Sequence, residues 1–114
     1  MELIKPEVVQ RVLDLMKEQD LYIHLEMTNG AYAAHLDKSK IAAATFIRNG
    51  VIRYSHGSIA GKGPYRVGLK LEHGWVYSEG LTHYDETETE RLILAGHDND
   101  GKLLVSLQLS REPF

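Results

Sequence analysis

The sequence has no cysteine and only one tryptophan, two phenylalanines and three prolines among its 114 residues. The absence of cysteine excludes disulfides, thiol nucleophiles and zinc sites built from thiolates. No uninterrupted apolar run exceeds four residues, as in Ile41–Ala44, whereas a membrane-spanning helix needs about 20. Glu2 and Lys5 follow Met1 with no apolar stretch, so we expect no signal peptide and a cytoplasmic location.

The chain also has no excess of positive charge. Thirteen Lys and Arg residues stand against 16 Asp and Glu residues, which gives a net charge of −3. That is the wrong sign for a dedicated nucleic-acid binder, and nothing indicates a membrane partner. A content of 43% hydrophobic and 25% charged residues is typical of globular proteins. The length predicts a single domain over residues 1–114.

One segment near the start has the spacing of an amphipathic helix, and we predict a helix from about residue 6 to residue 19. Pro6 suits a first helical turn, and Glu7 complements the positive end of the helix dipole. We expect this helix to lie as a lid on a sheet. Its apolar stripe follows the i, i+3, i+4, i+7 spacing and comprises Val8, Val9, Val12, Leu13, Leu15 and Met16.

The remainder, residues 21–111, has the alternation and turn signals of a β-rich chain. Leu21–Met27 alternates strictly between apolar and polar residues. Four dipeptides typical of tight turns separate strand-like runs: Asn29-Gly30, Asn49-Gly50, His73-Gly74 and Asp100-Gly101. They predict about eight mostly antiparallel strands in an all-β fold with one N-terminal helix. A barrel-like form or a two-sheet sandwich would bury one face of each strand, and the barrel-like form is favoured.

A short hairpin at Asn29-Gly30 would place two histidines opposite each other. In that register His24 faces His35, and Glu26 lies on the same face of the strand pair. Two imidazoles and a carboxylate form a recognised ligand set for a divalent metal. The alternative is an ordinary solvated face that carries a histidine pair and an exposed glutamate.

A second candidate site follows from a hairpin at His73-Gly74. The short register sets Lys70 opposite Tyr77 and Gly68 opposite Glu79, so that Arg66 joins them on one face. Val67, Leu69, Leu71 and Val76 are expected on the other face. A cation, a phenol and a carboxylate together suit a small anionic or hydroxylated ligand. The alternative is internal ion pairing on a solvated face.

Other segments carry weaker signals. The glycine-rich Gly61–Arg66 has backbone and cationic groups for a phosphate, but it lacks the nucleotide-binding spacing and fits a loop between two hairpins. Asp98–Gly101 lacks the further acids of a calcium loop and predicts a turn. His56, His83 and His97 have no partner that the sequence alone requires.

Five separated segments carry a family resemblance, namely Tyr22–His35 (YIHLEMTNGAYAAH), Phe46–Gly50 (FIRNG), Gly63–Lys70 (GPYRVGLK), Gly74–Thr82 (GWVYSEGLT) and Leu94–Leu103 (LAGHDNDGKL). Together they resemble the YojF family of small cytoplasmic proteins from Bacillus and related bacteria. The resemblance implies an all-β fold with no established activity, and therefore no catalytic residues to carry over. It also implies a gene neighbourhood shared with a deacetylase of bacillithiol synthesis.

Three classes of function follow. The favoured one is a non-enzymatic binding or accessory module, homodimeric or working with the neighbouring deacetylase in bacillithiol metabolism, that needs no cofactor. The alternative is a small hydrolase in which His24, His35 and Glu26 hold a divalent metal that activates water. The third is a structural oligomer, for which exposed Trp75, Tyr77 and Tyr84 would form an interface.

Overall fold

The computed structural model describes residues 1–29 and 43–114. Its elements are β1 (Glu2–Leu3), α1 (Pro6–Met16), β2 (Leu21–Asn29), β3 (Ala43–Ile52), β4 (His56–Ala60), β5 (Tyr65–Leu71), β6 (Gly74–Leu81), β7 (His83–Tyr84), β8 (Arg91–His97) and β9 (Leu103–Ser110). Among the helices of these residues, none is both long and apolar enough to cross a bilayer.

The strands form two antiparallel sheets. The large sheet has the order β1-β7-β8-β9-β2-β3, and the small sheet has the order β4-β5-β6. Within the described ranges no strand of one sheet is hydrogen-bonded to a strand of the other, so the all-β prediction is confirmed in its sandwich form. The preference for a barrel was wrong, because both sheets keep their own edges and bury their inner faces against each other and against α1. The fully buried side chains at this junction include Leu13, Leu21, Tyr54, Leu69, Leu81, Leu94, Leu107 and Leu109.

The helix packs on the small sheet, as predicted, but it is shorter than predicted. It ends at Met16 because Glu18 takes a left-handed φ of 60° and donates its backbone N–H to the carbonyl of Tyr54. Leu15, which belongs to the predicted apolar stripe, is instead exposed. The Gln10 side chain donates to the carbonyl of Gly57 (2.8 Å) and accepts from the N–H of Ile59 (3.1 Å), which ties α1 to β4.

The buried phenol of Tyr54 provides the second tie. Its hydroxyl donates to the backbone carbonyl of Leu13 at 2.7 Å, and burial raises the pKa of the phenol above its ordinary value. Tyr54 therefore remains protonated at neutral pH, and its proton satisfies a carbonyl near the end of α1.

Both Asn-Gly predictions were wrong about the turn. β2 continues to Asn29, and its partner strand begins only at Ala43, so that Thr28 faces Ala44. Asn49 lies inside β3 with a φ of 56°, where the register against β2 shifts by one residue. Asparagine tolerates the left-handed region equally well in a turn and in a β-bulge, and here the dipeptide forms the bulge.

The turn predicted at Asp100-Gly101 is confirmed, and the hairpin turn predicted at His73-Gly74 is present but lies one residue earlier. Residues 98–102 join β8 to β9, with the Gly101 N–H donating to the carbonyl of Asp98. The β5–β6 hairpin turns at Glu72 and His73, with Leu71 opposite Gly74. Lys70 therefore faces Trp75 rather than Tyr77, and Gly68 faces Tyr77 rather than Glu79. This correction moves each pair by two residues on one strand, so it changes the direct partners but preserves which side chains share a face.

Two glycines allow the sheets to approach closely at one point. A β-carbon on Gly96 of β8 would overlap the carbonyl oxygen of Gly80 in β6 and would also meet the side chain of Val105. Gly80 itself has a φ of 77°, which favours glycine. The absence of side chains here lets β6 pass directly over β8, and this contact positions the outer face of the small sheet.

Candidate functional site

The outer face of the small sheet carries the second set of residues predicted from the sequence. Alternation along β5 and β6 leaves Arg66, Lys70, Trp75, Tyr77 and Glu79 exposed. Val67 and Leu69 are fully buried on the inner face, and Leu71 and Val76 pack against the same core. The predicted division between the two faces of this hairpin is therefore confirmed.

Trp75 and Tyr77 form a stacked aromatic pair at the centre of this face. Their ring centroids are 5.5 Å apart and their planes differ by 8°. Tyr77 lies directly over Gly68, since a β-carbon at that position would come within 2.9 Å of the Tyr77 Cε1 atom. Both aromatic side chains are nevertheless about half exposed, at 47% and 48%. The pair thus has a fixed position but remains available to a ligand.

Charged side chains surround the aromatic pair. The Arg66 guanidinium carbon lies 4.1 Å from the centroid of the Tyr77 ring, and the Arg66 Nε is 3.6 Å from a carboxylate oxygen of Glu79. Both partners of this ion pair are well exposed, so water screens it and it adds little stability. Lys70 is also exposed and lies between His56 and Trp75 in the strand register.

A shallow cavity of about 200 Å³ lies over Gly68. The β4 side chains of Ser58 and Ala60 border it on one side, and the aromatic pair and Arg66 border it on the other. Gly68 forms the floor, and the walls offer the Ser58 hydroxyl, the Arg66 guanidinium and two aromatic rings. These groups suit a ligand that has both an apolar face and polar substituents.

A second cavity, of about 230 Å³, lies on the other side of β6. It is lined mainly by apolar side chains of both sheets, among them Leu25, Met27 and Val105, and it shares Tyr77 with the first cavity. The Ser78 hydroxyl is buried beside it and has no hydrogen-bond partner among the residues that the structure describes. Glu79 contributes the one charged side chain among its lining residues, and we do not assign this cavity a ligand.

The predicted metal set on β2 is placed differently. The strand neighbours of His24 are Arg48 on β3 and Gln108 on β9, so the predicted pairing of His24 with His35 was wrong. His35 itself lies outside the described residues. Glu26 does lie beside His24, with 3.4 Å between the His24 Nε2 and a carboxylate oxygen.

In the His24–Glu26 pair, the imidazole of His24 is covered by two aromatic side chains. The rings of Phe46 and Phe114 meet its imidazole edge-on at 6.4 and 6.1 Å, and only 8% of His24 is exposed. The Asn49 side chain donates to the carbonyl of Phe114 (3.2 Å) and accepts from its N–H (2.8 Å), which holds that residue in place. In the described part of the chain, no three His, Asp or Glu side chains converge to hold a metal.

The acidic run that begins at Asp85 is an exposed turn. Asp85 accepts hydrogen bonds from the hydroxyl (2.7 Å) and the N–H (2.9 Å) of Thr87. These bonds to the charged form hold the pKa of Asp85 below its ordinary value. The Asp85 carboxylate thus stabilises the turn itself, and these contacts do not indicate a ligand site.

Comparison with known proteins places the chain in a family. The family described as "Protein of unknown function (DUF1806)" matches residues 3–114. The chain belongs to this family. The "Uncharacterized protein YojF" of Bacillus subtilis (strain 168) is 48% identical over 114 residues, which cover 100% of this chain and 98% of that protein. The resemblance to YojF is therefore confirmed.

A crystal structure of the Bacillus subtilis YojF protein has the same fold. The TM-score is 0.81 at 44% sequence identity, and the match covers 99% of this chain and 95% of the other. The description of the DUF1806 family names no activity. The function is therefore inferred from the chemistry of the outer face.

Sequence reasoning missed the β4 side of the first cavity. Ser58 and Ala60 lie opposite Gly68 and Arg66, but the connection between β4 and β5 is longer than a two-residue turn, so the sequence alone did not fix their register. It also missed the close approach of His83 and His97, whose ring nitrogens lie 3.2 Å apart. Their positions on each side of the acidic segment gave no spacing that required them to meet.

Proposed function

We propose that the protein is a non-enzymatic binding module that holds a small, hydroxylated, negatively charged ligand on the outer face of the small sheet. The observation that carries this proposal is the Trp75–Tyr77 stack, fixed over Gly68 yet half exposed beside Arg66. An aromatic pair this exposed loses contact with water when a ligand covers it, and large aromatic surfaces dominate such binding.

The aromatic pair favours a ligand with an apolar face, such as the C–H face of a sugar ring. The cavity beside it has a volume of about 200 Å³, which suits a ligand of monosaccharide size. The Ser58 side chain at its border offers a hydroxyl that both donates and accepts hydrogen bonds.

The cations favour a carboxylate or phosphate group on that ligand. Arg66 presents a planar fork that binds either group through two parallel hydrogen bonds. Its present partner Glu79 is exposed at 3.6 Å, so exchanging that contact for a ligand costs little. Lys70 adds a second positive charge four residues along the same strand, about 13 Å away at the usual rise of an extended chain.

Intrinsic fluorescence tests the proposal directly, because Trp75 is the only tryptophan in the sequence. The probes are glucose 6-phosphate, neutral methyl glucoside and inorganic phosphate, together with bacillithiol because of the pathway that the family resemblance suggests. We expect a saturable change in emission with the charged sugar and a much weaker response to methyl glucoside. No response to any probe at millimolar concentration would overturn the proposal.

A matched pair of variants distinguishes the effect of the Arg66 charge at the site from the effect of the net charge of the protein. Arg66→Gln should weaken binding of glucose 6-phosphate at least about tenfold, because it removes the paired charged hydrogen bonds of the guanidinium. Lys102→Gln removes one positive charge from an exposed position in the β8–β9 turn and should leave the affinity unchanged. Equal losses in both variants would indicate only long-range electrostatics.

We also propose that a second copy of the chain pairs with the edge strand β3. Residues 44–48 are exposed on both faces of that strand, and they include Phe46 and Ile47. Among the described residues no strand pairs with the outer edge of β3. A long, apolar, unpaired edge favours the addition of another strand, and a two-fold axis would let the two copies of β3 satisfy each other.

A further inference from the structure

His83 and His97 converge on the outer face of the large sheet, well apart in sequence. His83 lies in β7 opposite Ala95, and His97 lies two residues further along β8 at an irregularity of the strand register. The two Nδ1 atoms are 3.2 Å apart, with the ring centroids at 4.9 Å and the planes nearly perpendicular at 81°. Both residues are partly exposed.

The backbone and Thr82 hold the two rings in this arrangement. The Thr82 hydroxyl oxygen accepts the N–H of His97 at 3.2 Å and lies 2.6 Å from the His83 Nδ1. The Thr82 N–H donates to the carbonyl of Ala95 at 2.9 Å, which continues the ladder between the strands. The rings are thus positioned by strand pairing and by a neighbouring side chain, and an ion bound at the His83 Nδ1 would replace its contact with the Thr82 hydroxyl.

We propose that His83 and His97 form a site for a divalent transition-metal ion such as Zn²⁺, Cu²⁺ or Ni²⁺, bound through both Nδ1 atoms. Two imidazole nitrogens that share one tetrahedral ion at about 2.0–2.1 Å lie about 3.3 Å from each other. The separation of 3.2 Å found here matches that requirement. Imidazole ligands suit this borderline class of metals rather than Mg²⁺ or Ca²⁺.

The site would leave coordination positions open. No group of three His, Asp or Glu side chains surrounds the pair within the residues that the structure describes, so water would complete the coordination. We therefore expect a weaker site than a structural zinc centre, which has four protein ligands. The pair lies on the large sheet, so this proposal does not depend on ligand binding by the small sheet.

Titration of the full-length chain with Cu²⁺, Zn²⁺ and Ni²⁺ tests the site, with calorimetry for affinity and electron paramagnetic resonance for the copper ligands. We expect one ion per chain and a copper spectrum that shows coordination by two nitrogens. His83→Gln and His97→Gln should each weaken binding at least about tenfold, which is about 1.4 kcal/mol. The double variant should abolish it. Retained binding in the double variant, or no binding by the unaltered chain at millimolar metal, would overturn the proposal.

Control variants test two of the other four histidines. His73→Gln changes a highly exposed imidazole in the β5–β6 turn and should leave the affinity unchanged. His24→Gln tests the set first predicted on β2 and should also bind normally, so loss in this variant together with normal binding by His97→Gln would contradict the assignment. Thermal melts without metal show whether each variant folds, and Asn replaces Gln where one does not.

Discussion

The ring of Tyr77 lies against the backbone of Gly68 on the neighbouring strand, where a β-carbon would come within 2.9 Å of the Tyr77 Cε1 atom. We therefore predict that Gly68→Ala forces the ring aside, separates it from Trp75 and shifts the tryptophan emission. The obstacle is a side chain that can rotate, so the free energy of unfolding should change by no more than about 1 kcal/mol. Emission spectra and thermal melts measure the two effects, and an unchanged spectrum would show that the stack does not depend on Gly68.

Gly96→Ala provides the contrasting case. A β-carbon there would overlap the carbonyl oxygen of Gly80, which is backbone and cannot swing away. We predict a loss of about 2–4 kcal/mol in the free energy of unfolding, measured by denaturant titration. A loss no larger than that of Gly68→Ala would mean that the two sheets are not in contact at this point.

The alternation of β5 and β6 was enough to divide the Trp75–Tyr77 hairpin into buried and exposed faces. Each residue's side of a strand depends only on parity, and a shift of register by two residues preserves parity. The direct partners could not be predicted, because His73-Gly74 does not specify whether His73 is the first or the second residue of the turn. A turn dipeptide therefore predicts which face of the sheet a side chain occupies more securely than it predicts the residue opposite that side chain.

The β2 prediction failed for a different physical reason. Asn49 and Asn29 occur in the same dipeptide with glycine, but Asn49 forms a bulge and Asn29 pairs with Ala43. The pairing of β2 with β9 joins residues far apart in sequence, and no local pattern reports such a contact. The neighbours of His24 consequently could not be inferred from the hairpin that the sequence indicated.

The buried phenol of Tyr54 predicts a loss of stability in alkali. Its pKa is raised by burial, so both states are protonated below about pH 10, and above that pH the unfolded state ionises first. The stability that depends on this proton is therefore present below about pH 10 and is lost as the pH rises towards the folded-state value. Tyr54→Phe should be about 1–2 kcal/mol less stable at neutral pH, since the Leu13 carbonyl loses its donor, and should lose less in alkali.

Urea titrations at several pH values measure this dependence. Tyr77→Phe, whose phenol is about half exposed, is the matched control and should keep the alkaline dependence of the unaltered chain. The same dependence in Tyr54→Phe would contradict the assignment to that phenol.

Asn49→Gly should release Phe114 without straining β3. Glycine accepts the φ of 56° at this position, so the substitution removes only the two hydrogen bonds to Phe114. We predict faster hydrogen exchange at the Phe114 amide and a loss of about 1 kcal/mol in the free energy of unfolding. The His24 ring resonances should also move, because Phe114 lies against that imidazole. Unchanged exchange at Phe114 would show that Asn49 does not hold it.

Ile47→Lys should prevent the proposed pairing of two chains through β3. A lysine on an exposed edge strand opposes the addition of a second strand. Light scattering after size exclusion should give a dimer for the unaltered chain and a monomer for this variant. Leu15→Lys, at an exposed position on α1, should remain dimeric. A monomeric unaltered chain at all accessible concentrations would end this proposal.

The most direct test of ligand binding on the small sheet is a nuclear magnetic resonance titration of ¹⁵N-labelled protein with glucose 6-phosphate. The indole N–H of Trp75 gives a single tryptophan side-chain signal. We predict that this signal and the amides of Ser58, Arg66, Gly68 and Tyr77 shift together and saturate, while those of His83 and His97 stay in place. Shifts confined to other parts of the chain, with the Trp75 indole unmoved at saturation, would contradict the account.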